Sequence, residues 1–204
     1  GQVRFARTLE LPANRGRLLD RNGLILASGV PAASIWAIPE DVEQDDPEVK
    51  AKLKQLAALM EMPLPALMEK LADEDKTFVW IKRQLDWDVG QQIHALNIKG
   101  IYQRKEYKRQ YPEGESAAHI VGFTNVEDHG QEGMELAFDK ELGGKPGSRR
   151  VIKDRLGRVV EGVGEEVPPQ DGRDIQLSVD SKVQYFAYQK LKEQVIACLL
   201  YTSD

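Results

Sequence analysis

The chain has 204 residues, 41% apolar and 30% charged, a composition that excludes a disordered or fibrous polypeptide and suits one large or two small domains. Lys and Arg number 28 against 33 Asp and Glu, so the formal net charge is -5 and no global signature of polyanion binding is present. The single cysteine, Cys198, excludes an intrachain disulfide framework and an all-cysteine metal site.

No stretch reaches the roughly eighteen apolar residues of a membrane span. Gly1 to Leu11 alternates Val3, Phe5, Thr8 and Leu9 with Arg4, Arg7 and Glu10 instead of building the apolar block of a signal peptide. Any anchor or export signal is expected upstream of Gly1. Residues 1–39 then read as short strands and turns. Arg17 to Leu19 and Leu24 to Ala27 flank Asp20-Arg21-Asn22-Gly23, a hairpin signal because Asn-Gly suits left-handed turn positions, and Ser34 to Ile38 is a further strand. The acidic stretch Glu40 to Asp46 reads as linker. Asp46-Pro47 supplies an N-cap followed by proline at the first helical position, and Val49, Leu53, Leu56 and Met60 recur at helical spacing.

A second helix is expected over Met62 to Leu71, a strand over Thr77 to Ile81 and a helix over Asp86 to Leu96, so residues 40–98 form a small αβ insertion without evident chemistry. Gly100 to Tyr111 alternates and is strongly basic. Gln131 to Leu142 returns to helical period through Met134, Ala137, Phe138 and Leu142, and Gly143-Gly144 ends it. Strands follow at Ser148 to Lys153 and Arg158 to Glu161 around a turn at Asp154-Arg155-Leu156-Gly157, and at Asp174 to Val179. Asp180 or Ser181 caps a last helix with a stripe of Val183, Ala187, Leu191 and Val195. Strands at both ends around a helical middle give an α+β fold class: an extended β platform formed from N- and C-terminal segments with a helical insertion.

Few residues suggest catalysis. His94, His119 and His129 lack zinc-site spacing, Cys198 has no basic neighbour to lower its thiol pKa, and Gly143-Gly144-Lys145-Pro146-Gly147 is not a phosphate loop. His119, between Ala117-Ala118 and Ile120-Val121-Gly122, is placed to cap or clamp a short helix. The run Arg104 to Tyr111 reads as an edge or surface strand whose arginines pair with carboxylates, not as a nucleic-acid site, because the chain is net acidic. Two clusters resist so plain an account. One is Asn14 to Gly23, with three arginines and an aspartate suited to bidentate guanidinium–carboxylate pairs. The other runs from Tyr111-Pro112-Glu113-Gly114 through His119 and Gly122 to Gly130, Gly133 and Glu135. If Arg15 or Arg21 reaches Glu135, distant segments become one rigid unit.

Those motifs carry a resemblance. Arg15-Gly16-x-x-x-Asp20-Arg21-Asn22-Gly23 with Leu26-Ala27, Tyr111-Pro112-x-Gly114-x-x-Ala117-x-His119-x-x-Gly122-Phe123, and Gly130-x-x-Gly133-x-Glu135 with Phe138-Asp139, Leu142 and Gly147 occur in that order. Lys153-Asp154-Arg155-x-Gly157-Arg158 and Leu177-Ser178-Val179-Asp180 extend it. The chain resembles, from Phe5 to about Ala197, the N-terminal non-catalytic module of the class B penicillin-binding proteins, and most the division-specific peptidoglycan D,D-transpeptidases of Gram-negative bacteria.

The resemblance implies a pedestal or dimerisation domain over residues 1–179, a helix over 180–197 leading toward a transpeptidase domain, and a non-native tail at 198–204. It implies a parent protein held by an N-terminal transmembrane helix at the periplasmic face of the inner membrane. The implied partners are a membrane glycan polymerase and divisome proteins, with peptidoglycan a further one. Arg15, Gly16, Asp20, Arg21, Gly23, Tyr111, Pro112, Gly114, His119, Gly122, Gly133 and Glu135 match positions that set internal packing and coupling. The transpeptidase signatures Ser-x-x-Lys, Ser-x-Asn and Lys-Thr-Gly are missing from the sequence, so no catalytic residue, cofactor or metal is expected. The alternatives are the pedestal of an elongation-specific transpeptidase and a free-standing peptidoglycan-binding or regulatory module.

Overall fold

A computed structural model describes residues 5–153 and 159–202. In chain order its strands and helices are β1 (Phe5–Leu11), β2 (Leu18–Leu19), β3 (Ile25–Ala37), α1 (Pro47–Leu59), α2 (Leu64–Lys70), β4 (Val79–Asp86), α3 (Trp87–Ala95), β5 (Ile101–Gln110), α4 (Glu115–Val121), α5 (Gly133–Ala137), α6 (Asp139–Leu142), β6 (Gly147–Lys153), β7 (Val159–Gly162), β8 (Ile175–Gln176) and α7 (Ser181–Thr202). The α+β class expected from the sequence is the class observed. Contacts divide the chain into two units, the first comprising Gly1–Pro12, Pro31–Lys108 and Pro146–Pro169, the second Ala13–Val30, Arg109–Lys145 and Gln170–Asp204.

In the first unit β1 pairs antiparallel with β6, from Phe5 opposite Lys153 to Leu11 opposite Gly147, and β6 pairs with β7. The end of β3 pairs antiparallel with β4, with bulges that shift the register between Ala33 and Trp36. Helices α1 to α3 bury their apolar stripes on this core: Leu53, Leu56 and Met60 pack with Leu67, Leu71, Ile35, Ile81 and Ile93. The Asp46 carboxylate accepts the Glu48 backbone N–H at 2.9 Å, and Pro47 occupies the first turn, where no amide donor is required.

The second unit builds a smaller core from Leu18, Leu26, Ala27, Ala117, Val121 and Leu142. Strand β2 pairs antiparallel with the start of β3 and parallel with β8, joining segments more than 150 positions apart. Backbone alone knots this region: the amides of Gly16, Gly172 and Arg173 donate to the carbonyls of Leu142, Asn14 and Glu141 at 2.8, 2.9 and 2.9 Å. A Cβ at Gly172 would collide with the Leu142 carbonyl oxygen, so only glycine permits this approach.

Several elements differ from the sequence expectation. The two strands foreseen at Leu24 to Ala27 and Ser34 to Ile38 are one strand, β3, which runs through Pro31; an exposed proline is tolerated where its missing N–H is not required. The helix foreseen over Gln131 to Leu142 is two short helices, because Phe138 leaves helical geometry (φ -109°, ψ 22°). In the Asp20 to Leu24 loop Gly23 is left-handed (φ 83°) and Asn22 is not, so a single glycine makes the turn. Strand β8 has two residues where six were expected. Helix α7 continues through Cys198 to Thr202. The Asp154 to Gly157 turn, the motif residues Asp154, Arg155, Gly157 and Arg158, and the side chains of Ser181 and Val183 lie outside the described residues.

Candidate functional site

The second unit centres on a carboxylate with no solvent exposure, that of Glu135 in α5. Burying an ionised carboxylate is costly unless opposite charge and donors surround it. Glu135 has both. Its Oε1 accepts from Arg15 Nε at 3.2 Å and Arg109 Nη2 at 3.0 Å, and its Oε2 accepts from Arg109 Nε and the Tyr111 hydroxyl, each at 2.8 Å. Four donors fill the acceptor capacity of the group.

The two guanidinium groups are used almost as completely. Arg15 Nη1 donates to Asp139 Oδ1 at 2.6 Å and to the Asp128 carbonyl at 3.1 Å, while its Nη2 donates to the Glu135 carbonyl at 2.7 Å. Arg109 donates through Nη2 to the Gly16 carbonyl at 2.7 Å. Two arginines thus face Glu135 and Asp139, and the charge closes within the cluster. The members come from the loop before β2, the end of β5, and helices α5 and α6.

Local sequence explains each placement. Alternation along an extended chain puts Arg109 and Tyr111 on one face. Glu135 in α5 and Asp139 at the start of α6 lie on either side of the break at Phe138, and both meet Arg15. Asp139 Oδ1 also accepts the Gly130 N–H at 2.8 Å. Burial pushes the Asp139 carboxyl up, but the Gly130 amide and the Arg15 guanidinium outweigh it and hold the pKa below the ordinary carboxylate value. Burial pushes the Tyr111 phenol up to about 12, with the neighbouring Glu135 charge acting in the same direction. Burial likewise raises Asp128.

Of the arginines expected to reach Glu135, Arg15 does so. Arg21 is exposed, and its backbone instead receives the Gln176 side chain and donates to Val179. Gly16 lies in the backbone knot. Asp20 is buried and caps its own turn, its Oδ1 accepting the Asn22 and Leu24 amides at 2.8 Å. The fork expected in this segment is not made to two oxygens: Arg17 Nε and Nη2 both donate to Asp174 Oδ2, at 3.2 and 2.9 Å, while Asp174 Oδ1 accepts the Arg17 backbone N–H at 2.7 Å. Gly114 (φ 57°) and Gly122 (φ 76°) bracket α4, Pro112 is exposed beside Tyr111, and Gly133 (φ 61°) packs against Gly122 so closely that neither position admits a Cβ. His119 is exposed on α4. Arg109 corrects the reading of a surface strand from Arg104 to Tyr111: Arg104 pairs at the surface with Glu10, whereas Arg109 is buried.

A family model described as the Penicillin-binding Protein dimerisation domain matches residues 10–177. The chain belongs to this family. It is 40% identical over 96% of its length to the probable peptidoglycan D,D-transpeptidase PenA of Neisseria gonorrhoeae, and 38% identical over the same share to the peptidoglycan D,D-transpeptidase FtsI of Escherichia coli. It spans about a third of the length of these relatives, 34% and 33%. Two solved structures share the fold. A peptidoglycan synthetase from Bifidobacterium adolescentis matches with TM-score 0.56 and 24% identity over 89% of this chain and 38% of its own. A complex between a penicillin-binding protein and MreC from Helicobacter pylori matches with TM-score 0.65 and 19% identity over 93% and 39%.

In this dimerisation domain the Glu135 cluster uses its charged groups on each other and on backbone, which suits a structural joint. Beside it lies a groove of about 530 Å³, lined by Leu26, Ala117, Val121 and Phe123 together with Tyr111, His119 and Glu132. Among the described residues no group of His, Cys, Asp and Glu is arranged to hold a metal ion, and no helix is long and apolar enough to cross a membrane.

Proposed function

We propose that the chain is the non-catalytic pedestal of a septal peptidoglycan D,D-transpeptidase, a rigid mount that positions an acyl-transfer domain and couples it to a membrane glycan polymerase and to division proteins on the periplasmic side of the inner membrane. The reading rests on one observation above the others: Glu135, fully buried, is clasped by guanidinium groups 120 and 26 positions away. A buried carboxylate held in this way keeps distant segments in one register, and the charged groups of the cluster are engaged with one another.

The similarity to D,D-transpeptidases named PenA and FtsI supports the septal branch, and the share of their length that the chain spans supports a module within a larger enzyme. A protein partner is supported by the neighbour found in complex with MreC. Arg15, Arg109, Tyr111, Glu135 and Asp139 set the internal packing in this account. The closing glycines at 16, 122 and 133 keep it compact.

The test is co-purification of the 204-residue chain with division and elongation glycan polymerases in detergent, alongside sedimentation with purified glycan strands and labelling by a fluorescent penicillin. Retention of the division polymerase without penicillin labelling is the expected result. Retention of the elongation polymerase alone moves the chain to the other branch. Strong glycan sedimentation without polymerase retention establishes a peptidoglycan-binding module and overturns the proposal.

A further inference from the structure

The turn after β2, Asp20-Arg21-Asn22-Gly23, takes no part in the ion cluster. Residues 21–24 are exposed, and a Cβ built at Gly23 would meet no atom within 4 Å. Asn22 is the one asparagine in the sequence that precedes glycine; Asn14, Asn97 and Asn125 precede Arg15, Ile98 and Val126. A glycine amide nitrogen reaches the side-chain carbon of a preceding asparagine with least hindrance, because glycine has no Cβ and the widest range of backbone angles. The matching aspartyl pair, Asp171-Gly172, is held differently. Gly172 lies in the backbone knot, its N–H donating to the Asn14 carbonyl at 2.9 Å and its Cα pressed against the Leu142 carbonyl.

The same turn fastens the segment that leads into α7. Asn22 Nδ2 donates to Asp180 Oδ2 at 3.1 Å, the Arg21 N–H donates to the Val179 carbonyl at 2.8 Å, and Gln176 Nε2 donates to the Arg21 carbonyl at 2.9 Å. Asp20 closes the turn on itself. Its N–H donates to the Leu24 carbonyl, and its Oδ1 accepts the Asn22 and Leu24 amides, each at 2.8 Å.

We propose that Asn22 is a modification site, where water converts the side-chain amide to aspartate or isoaspartate through a cyclic imide with Gly23 and so unfastens the turn from the start of α7. In the first step Gly23 N gives up its proton and bonds to Asn22 Cγ. The Cγ–Nδ2 bond breaks, and Nδ2 leaves with that proton as ammonia. Water then adds to one of the two imide carbonyl carbons and breaks its bond to Gly23 N. Attack at Cγ leaves the ordinary peptide bond and a side-chain carboxylate; attack at the backbone carbon leaves the chain running through Cγ, one methylene longer. Water is the co-reactant, and nothing is oxidised or reduced. In the folded chain the Gly23 N–H donates to the Asp20 carbonyl at 3.0 Å, so ring closure follows local opening of the exposed turn. Either product sets a carboxylate where a donor faced Asp180, and the two repel.

The 204-residue chain is kept folded in mildly alkaline buffer and followed by peptide mapping with mass spectrometry, with isoaspartate read by enzymatic carboxyl methylation. We expect Asn22 to convert about tenfold or more faster than Asn14, Asn97 or Asn125, Asp171 to gain no isoaspartate, and Asn22→Gln to leave its position unconverted. Equal rates at the four asparagines overturn the inference, as does isomerisation of Asp171 as fast as Asn22 converts. Hydrogen exchange at the Arg21 amide reads the unfastening. It should be several-fold faster in the converted chain and in Asn22→Asp than in the unconverted chain, and Asp180→Asn should restore slow exchange in the Asn22→Asp background. Exchange that conversion leaves unchanged, or that Asp180→Asn does not restore, refutes the unfastening. Polymerase retention decides the pedestal reading whatever the outcome at Asn22.

Discussion

Replacing Glu135 by alanine removes the acceptor that both buried guanidinium groups share. Breaking a buried ion pair from one side costs about 3–5 kcal/mol, because the remaining charge stays desolvated. The structure places this case near the lower end. Arg15 keeps Asp139 and the carbonyls of Asp128 and Glu135, and Arg109 keeps the Gly16 carbonyl, so neither group is stripped of acceptors. We therefore expect a loss of about 3 kcal/mol, which for a chain of this size lowers the melting temperature by roughly 6–12 °C. Urea unfolding followed by far-UV circular dichroism measures it as a lower midpoint at unchanged slope. The apolar combination Arg15→Met, Arg109→Met and Glu135→Leu should recover part of the loss, since it removes the buried charges together but leaves the Asp128, Glu135 and Gly16 carbonyls, the Asp139 carboxylate and the Tyr111 hydroxyl without these partners. A loss below about 1 kcal/mol for Glu135→Ala, or the same loss in the Arg15→Met, Arg109→Met background, would refute the view that the cluster acts through paired buried charge.

The Tyr111 phenol, raised to about 12 from 10.0, holds its proton more tightly folded than unfolded, so stability is full below pH 10 and declines as pH rises from 10 through about 12. Stability curves at alkaline pH should show this slope, and Tyr111→Phe should remove it. Gly172→Ala forces a Cβ into the Leu142 carbonyl, and the expected outcome is a large loss of folded yield, whereas alanine at the exposed, left-handed Gly23, whose Cβ would meet nothing nearby, costs only the backbone strain of that conformation; thermal melts of the two variants compare them. Asp46→Ala removes the N-cap of α1 and should cost about 1 kcal/mol in urea unfolding, with Asp46→Ser recovering most of it.

The amino-acid sequence by itself determined the local elements whose cause is local. Asp46-Pro47 and the stripe Val49, Leu53, Leu56 and Met60 specify α1, because capping and periodicity act within one helix. Alternation specified β5, and the ordered glycine and arginine motifs carried the family resemblance and the suspected meeting of Arg15 with Glu135. The rest depended on contacts between segments far apart in the chain. Alternation places Arg109 on one of two faces of β5 and cannot say which face is buried, so the sequence pattern does not separate this guanidinium from a surface charge. Asp139 stands four positions after Glu135, across the break at Phe138, and its partner Arg15 is 124 positions away. The continuous helical period over Gln131 to Leu142 hid the break at Phe138, and the two strand signals at Leu24 to Ala27 and Ser34 to Ile38 belong to one strand whose continuity comes from pairing with β2 and β4. Only the tertiary structure decided that four donors from two distant segments converge on one buried carboxylate, because the desolvation that makes such a cluster necessary exists only once the chain has closed around it.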